Sequence, residues 1–138
     1  MNNAAVWSYL HDGSLDRVEG SVPGDVSLFI SIPYLRKAFQ PAGEGFVLEL
    51  KECSIFQLVE DDGEMVLDLS QIAERSPELL SIVSESPLSI YTTRGTLTLA
   101  YGSLELFLDS GQALSVPQLD QASAAYWQAW SARNPNGA

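Results

Sequence analysis

The stretch LSIYTTRGTLTLAYGSLELFLD, from Leu88 to Asp109, decides the predicted fold. Two dipeptides, Arg94-Gly95 and Gly102-Ser103, divide it into three short runs in which apolar and polar residues alternate. Such alternation is typical of strands that bury one face, and two-residue loops are common connections in β-hairpins. We therefore predict a three-stranded antiparallel meander.

The two loops fix the register of both predicted hairpins. Counting outward from them places Ile90 opposite Leu99 and Leu99 opposite Leu106. Both hairpins then put the same residues on one face, and a shift of one residue would break this agreement. The predicted buried face consists of Leu88, Ile90, Leu97, Leu99, Tyr101, Leu104, Leu106 and Leu108. The outer face carries Tyr91, Thr98 and Phe107 side by side.

Two further segments also predict strands. Val26–Ile32 alternates cleanly and pairs with Ser14–Val22 as a second hairpin, with Val18 opposite Ile30. In Phe46–Glu60 the alternation changes phase at Cys53-Ser54. This segment is either one bent strand or two strands joined by a tight corner.

Short helices connect these strands. Val6–Leu10 reads as a short strand or an anchoring segment, and Pro33 begins one or two helical turns. Ser70 is positioned to cap a helix over Gln71–Arg75. The sequence Ser76-Pro77-Glu78 predicts another helix start, because serine, proline and an acid favour the cap and the first turn.

The last element, Gln118–Ala132, reads as an amphipathic helix. Leu119, Ala122, Tyr126 and Trp130 recur on one side at helical spacing. Together these elements predict a single α+β domain over residues 1–138, in which residues 1–5 and 134–138 are frayed. About seven mostly antiparallel strands form a partly closed barrel or an open sheet, on which the last helix packs.

The charge balance limits the classes of partner. Eighteen acidic and seven basic residues give a net charge of −11. Nucleic acids and anionic membranes are bound through clusters of Lys and Arg, which this sequence lacks, so we expect neither as a partner. The excess of acid indicates solubility or a basic protein partner, because opposite charge speeds the encounter of two proteins.

The densest run of charge is the acidic turn, defined here as Glu60, Asp61, Asp62, Glu64 and Asp68. Its spacing differs from that of a helix-flanked calcium loop, so we expect no metal there. We predict that the acidic turn binds the partner. Trp127, which lies off the apolar stripe of the last helix, is predicted to contribute to the same binding.

His11 and Asp12 form a second candidate polar site. A histidine beside an acid can serve acid–base chemistry or bind a metal. His11 is the only histidine, however, and a usual transition-metal set needs further ligands, so a turn histidine without chemistry is favoured. Neither a dinucleotide-binding glycine pattern nor a P-loop occurs, and we expect no catalytic residue and no cofactor.

Cys53, the single cysteine, lies in an apolar run beside Glu52. An acidic neighbour raises the pKa of a thiol, so we interpret Cys53 as structural. The first residues lack the features of a signal peptide, and no apolar run has the length of a membrane span. We expect a cytoplasmic protein.

The segments WSYLHDGSLDRVEG (Trp7–Gly20) and VSLFISIPYLR (Val26–Arg36) resemble the start of small bacterial immunity-type proteins found beside polymorphic toxins. The likeness is carried by Leu10, His11 and Asp12, followed by a polar strand and an alternating apolar one. It covers about the first quarter of the chain. It implies a stoichiometric inhibitor of a cognate toxin with no chemistry of its own, and it transfers no binding residue.

Three functions stay open at this point. The favoured one is a non-enzymatic acidic module, of the immunity type, that binds a basic protein. The second is a small-molecule-binding or hydrolytic domain in which His11, Asp12 and acids of 60–68 converge in a pocket. The third is a structural homo-oligomer or homodimer that associates through the outer face of the meander.

Overall fold

A computed structural model describes residues 4–133 of the chain. The described residues form strands β1 (Ser14–Gly20), β2 (Gly24–Ser31), β3 (Gly45–Cys53), β4 (Ile55–Val59), β5 (Met65–Val66), β6 (Leu79–Glu85), β7 (Leu88–Thr92), β8 (Gly95–Ala100) and β9 (Ser103–Leu108). The helices are α1 (Ala4–Tyr9), α2 (Pro33–Arg36), α3 (Leu69–Glu74) and α4 (Val116–Arg133). The predicted fraying of residues 1–3 and 134–138 falls outside the described residues.

The strands form two antiparallel sheets. The first has the order β1-β2-β3-β9 and the second the order β5-β4-β8-β7-β6. Apolar side chains from both sheets join one buried core, together with residues of the helices. The predicted α+β class is confirmed, and neither sheet closes into a barrel.

A bent pair of strands joins the two sheets. β3 pairs with β9 in the first sheet, and beyond a corner at Ser54 the chain continues as β4, which pairs with β8 in the second. The corner is held by hydrogen bonds from Ser54 N to Ala100 O and from Gly102 N to Lys51 O, both 2.8 Å. The tight corner, one of the two predicted alternatives, is therefore correct.

The prediction of a meander is wrong for the pairing of its third strand and correct for which residues face the core. β9 pairs with β3 and not with β8, because the chain crosses to the other sheet at Gly102. β7 and β8 do form a hairpin, but Ile90 lies opposite Leu97, two residues from the predicted register. A shift of two residues keeps every side chain on its face. Six of the eight predicted core residues are buried, and Tyr101 and Leu104 are half-buried against the core.

The hairpin of β1 and β2 shows the same kind of error. Its existence is confirmed, but Val18 lies opposite Leu28 and not opposite Ile30. The loop is longer than predicted and leaves Val22 exposed. Because the shift is again two residues, Val18, Leu28 and Ile30 stay buried.

The helix predicted to begin at Ser76-Pro77-Glu78 is wrong, since Leu79–Glu85 forms the strand β6. The run Ile82-Val83 is β-branched, which favours a strand. Pro87 also leaves little room for a helix before the next turn. Pairing with β7 then satisfies the backbone of this segment.

The strand considered for Val6–Leu10 is also wrong. Ala4 and Ala5, predicted to be frayed, begin α1. Val6, Trp7 and Leu10 are buried in the core, so the segment does act as an anchor. Trp7 Nε1 donates a hydrogen bond of 3.0 Å to the Tyr101 hydroxyl.

α4 confirms the predicted C-terminal helix. Leu119 is buried, and Ala122, Tyr126 and Trp130 are half-buried on the same side. The contacts of α4 are mainly with α1 and α2. None of the helices in residues 4–133 is both long and apolar enough to cross a membrane.

Arg36 is fully buried and forms an ion pair with Asp109. Its Nε donates to Asp109 Oδ1 at 2.9 Å and to Gly45 O at 3.2 Å, and Nη2 lies 2.8 Å from the same Oδ1. Asp109 Oδ2 accepts a further hydrogen bond of 2.8 Å from Glu44 N. The pair therefore fastens the loop after α2 to the end of β9.

Candidate protein-binding surface

Glu60, the first residue of the acidic turn, is neutralised inside the fold. Its Oε1 lies 3.1 Å from Arg75 Nε and 3.4 Å from Arg94 Nη2. Only 15% of its side chain is exposed. Two guanidinium partners and low exposure make Glu60 a poor contact for a basic partner.

The middle of the acidic turn is open to solvent. Asp61, Asp62 and Glu64 are exposed, and Asp62 Oδ1 accepts a hydrogen bond of 2.9 Å from Glu64 N. Carboxylate oxygens of Glu60, Asp62 and Glu64 lie within 4.8 Å of one another, a spacing that can hold a cation. The guanidinium groups on Glu60 already provide positive charge to this group of acids.

Asp68, the last member of the acidic turn, caps α3. Its Oδ1 accepts hydrogen bonds from Ser70 Oγ at 2.6 Å and from Gln71 N at 3.0 Å. The bond from Ser70, followed by that from Gln71, lowers the pKa of the Asp68 carboxyl. The N-cap is thus Asp68 and not Ser70 as predicted, because α3 begins at Leu69, two residues earlier than predicted.

His11 and Asp12 lie in the turn between α1 and β1. His11 Nδ1 is 2.9 Å from Ser8 O, and Nε2 is 3.6 Å from Asp12 Oδ2. The His11 ring stacks on Trp127 with 5.8 Å between centroids and 16° between planes. Asp12 pairs with Leu79 at the β6 edge of the second sheet, whereas the acidic turn joins β4 to β5 at the other edge, so the fold does not bring these groups into one pocket.

Trp127 belongs to an aromatic cluster where α4 meets α2. Its ring has edge contacts with Tyr34, Tyr126 and Trp130, and 37% of the residue is exposed. The Tyr34 hydroxyl donates to His11 O at 3.3 Å. Burial, followed by the charge of Asp12, raises the pKa of Tyr34 to about 12. Trp127 therefore packs at a rim and keeps one edge in solvent.

The proposed side-by-side group of Tyr91, Thr98 and Phe107 is not present. Tyr91 and Thr98 lie in β7 and β8 of the second sheet. Phe107 lies in the first sheet opposite Val47. The error follows from the wrong pairing of β9, and these three residues form no common contact surface.

The outer side of the first sheet carries an arrangement that the sequence reasoning missed. The ladder places Glu19, Ser27, Glu49 and Glu105 opposite one another across β1, β2, β3 and β9. We call this the acidic row. Ser27 Oγ donates to Glu49 Oε1 at 3.1 Å.

An apolar row runs beside the acidic row. It consists of Phe29, Val47 and Phe107, which are in register across β2, β3 and β9, and Arg17 stands at its end on β1. The Arg17 guanidinium lies 4.7 Å from the centre of the Phe29 ring, a cation–π contact. A shallow depression of about 170 Å³ lies between the two rows near Phe29 and Glu19.

Glu49 and Glu105 are directly opposite each other, and like charges at such positions destabilise a sheet. The nearest basic residue along β3 on that face is Lys51. It already has a partner, because its Nζ lies 3.7 Å from Asp25 Oδ2. Lys51 is therefore shared with Asp25 and does not serve the two glutamates alone.

The sequence predicts part of the acidic row. Glu49 stands between Leu48 and Leu50, and Glu105 between Leu104 and Leu106, so alternation predicts both as outward residues. Their meeting depends on the pairing of β3 with β9. That pairing joins distant parts of the chain, and no local pattern indicates it.

Cys53 is buried at the corner between the sheets, and its thiol donates to Ile55 O at 3.3 Å. Burial raises the pKa of the thiol. A protonated, buried thiol fits a packing role and not nucleophilic chemistry.

The chain matches no known family model, and comparisons with curated proteins and with solved structures found no significant match. Fold and surface thus define its class: a two-sheet antiparallel α+β domain with an acidic and apolar outer face.

Proposed function

We propose that this chain is a non-enzymatic module that binds a basic protein partner through the outer side of its first sheet. The acidic row supplies carboxylates, and the apolar row beside it supplies area for hydrophobic contact. A lysine or arginine of the partner between Glu49 and Glu105 would relieve the repulsion of these two side chains. This like-charge pair in register is the observation that carries the proposal.

The internal use of basic residues supports the same proposal. Arg36 is paired with Asp109, Arg75 and Arg94 contact Glu60, and Lys51 contacts Asp25. These pairs use most of the seven basic residues, whereas the acidic residues number eighteen. The outer surface is therefore strongly negative, which favours encounter with a positively charged protein.

The finer proposal is that the partner is a toxin and the chain its immunity-type inhibitor in the cytoplasm. It is supported by the resemblance of Trp7–Gly20 and Val26–Arg36 to immunity-type proteins. β1 and all but the first two residues of β2 lie within these segments, and these strands carry Arg17, Glu19 and Phe29.

The experiment uses the tagged full chain and the co-expressed products of the genes beside its own. We expect a basic product to co-purify at about 0.05 M NaCl and to be largely lost at about 0.3 M, because salt screens exposed charges. The double variant Glu49→Gln/Glu105→Gln is compared with the control Asp61→Asn/Asp62→Asn. Both remove two negative charges from the chain.

We expect the variant in the acidic row to reduce retention of the partner by about tenfold or more, as loss of central charged contacts does at interfaces. The control should stay within about twofold of the wild type. Loss confined to the control would transfer binding to the acidic turn and contradict the acidic row. If the amount of partner retained does not change with salt or in either variant, a charge-based interface is rejected.

A stability measurement tests the acidic row without a partner. Glu105→Gln is expected to raise the free energy of unfolding by a few tenths of a kcal/mol, because it removes the repulsion with Glu49. Chemical unfolding of the wild type and the variant gives this difference. An unchanged or lower stability would mean that the two carboxylates do not repel each other in the fold.

A further inference from the structure

A groove lies along the outer edge of β6, on the second sheet and apart from the acidic row. β6 is the last strand of its sheet, and α1 lies across from it. Two adjoining cavities of about 630 and 250 Å³ fill the space and share Ser8 and Ile82 as lining residues. The edge of a sheet facing a helix across a groove is an arrangement that accepts extended peptides.

A segment of the chain itself already pairs with the first residues of this edge. Asp12 N donates to Leu79 O at 2.7 Å, and Leu79 N donates to Gly13 O at 2.9 Å. Ser14 and Glu78 form an antiparallel bridge. The segment from Asp12 therefore pairs with the first residues of β6 and then turns away into α1. Within residues 4–133, the edge from Leu80 to Glu85 continues without another strand beside it.

The side chains along this free edge suit an apolar and basic ligand. Leu80 is 38% exposed and Val83 is 60% exposed. Glu85 lines the far end of the groove, and Asp12 lies beside its near end. Neither cavity is lined by a lysine or an arginine. A segment with apolar residues in its centre and basic residues at its ends would match this pattern of charge.

We propose that β6 binds an extended segment of a partner protein by strand addition, antiparallel to β6, with apolar residues against Leu80 and Val83 and a basic residue near Glu85. The direction continues the antiparallel pairing that the chain already makes at Ser14. A second copy of β6 is a poorer occupant. The chain carries a net charge of −11, so two copies repel each other, whereas a basic segment is attracted. This site does not depend on the acidic row.

The test uses a peptide of about seven residues, a length typical of a strand, with lysine at each end and alternating valine and threonine between them. A second peptide has the same sequence with alternate backbone nitrogens methylated, which removes hydrogen-bond donors without changing charge. A third replaces lysine by serine. Backbone amide NMR of the full chain reports where each peptide binds.

We expect the first peptide to shift the amide signals of Leu80–Glu85. Methylation and the variant Val83→Lys should each weaken binding by about tenfold or more, because the first removes ladder bonds and the second adds repulsion at the edge. The matched control is Met65→Lys on β5, the other edge of the same sheet, where the replaced residue is 55% exposed. It should stay within about twofold of the wild type.

Other results would overturn the proposal. Equal binding of the methylated peptide would show that backbone pairing is not used, and this arm needs no variant to fold. Equal loss in Met65→Lys, or shifts located on the acidic row, would show general attraction to charge. Tighter binding of the serine peptide would reject a basic segment. Dimerisation of the free chain that Val83→Lys abolishes would assign the edge to a second copy.

Discussion

At the scale of single residues, the ion pair of Arg36 with Asp109 shows what a buried charge requires. The guanidinium is fully buried, and Asp109 supplies its charged partner. Removing one member of a buried pair leaves the other without compensation. We expect Asp109→Asn to lower the free energy of unfolding by about 3 kcal/mol or more. Urea unfolding measures this loss, and Glu44→Gln, which leaves the Glu44 backbone donor in place, is the control.

The carboxyl of Asp109 should also make the stability of the fold depend on pH. Burial raises the pKa of Asp109, but hydrogen bonds from Glu44 N, Arg36 and Gly45 N outweigh it, so the pKa lies below its usual range. A carboxyl with a lowered pKa stabilises the fold above its unfolded pKa of about 3.9, and this contribution is lost as the pH falls through the folded pKa. The stability difference between wild type and Asp109→Asn should therefore shrink in acid. A difference that stays constant down to about pH 2 would contradict this assignment.

The ion pair also shows where sequence reasoning ends for single residues. Pro33 correctly predicted a short helix containing Arg36, and nothing local distinguished Arg36 from its exposed neighbour Lys37. The partner of Arg36 lies 73 residues further along the chain. Burial of a charge depends on such distant contacts, so it could not be read from the helix.

At the scale of elements, α3 offers a direct test of its cap. Asp68 Oδ1 accepts from Gln71 N, which satisfies one of the free amides at the start of the helix. Asp68→Ala should lower Tm by about 3 °C, since the loss of a cap destabilises a domain of this size modestly. Ser70→Ala is the matched control and should have a smaller effect, because Ser70 only donates to the cap. The reverse order would make Ser70 the residue that holds the helix start.

The elements also show which kind of pattern predicts structure well. Alternation identified the buried faces of β2, β3, β7 and β8, because a strand that buries one side has a period of two. Registers were less certain. The loop predicted at Arg94-Gly95 lies one residue earlier, at Thr93-Arg94, which shifts the register by two residues and leaves the faces intact. The prediction for β6 was wrong because it gave more weight to the cap-like sequence at Ser76 than to the β-branched residues Ile82 and Val83. These residues favour a strand, and β7 provides its pairing partner.

At the scale of the whole molecule, the composition of each surface depends on which strands pair. Local sequence patterns identify the residues that face outward but not which of them become neighbours. The acidic turn was predicted from a continuous run, yet the fold gives Glu60 two guanidinium partners and uses Asp68 as a cap. The acidic row is assembled from separate strands and becomes visible only once β9 is placed beside β3. Its recognition needs a long-range pairing that local alternation does not specify.

The net charge of −11 predicts how the whole fold responds to salt. Repulsion among the acids opposes the compact state, and screening shortens its range from about 30 Å at 0.01 M to about 8 Å at 0.15 M salt. We expect the free energy of unfolding in urea to rise over this range by on the order of 1 kcal/mol. Glu49→Gln/Glu105→Gln should gain less from salt than the wild type, because the repulsion at the acidic row is already gone. Exposed pairs such as Lys51 with Asp25 weaken in salt, so a falling stability would mean that attraction and not repulsion dominates this surface.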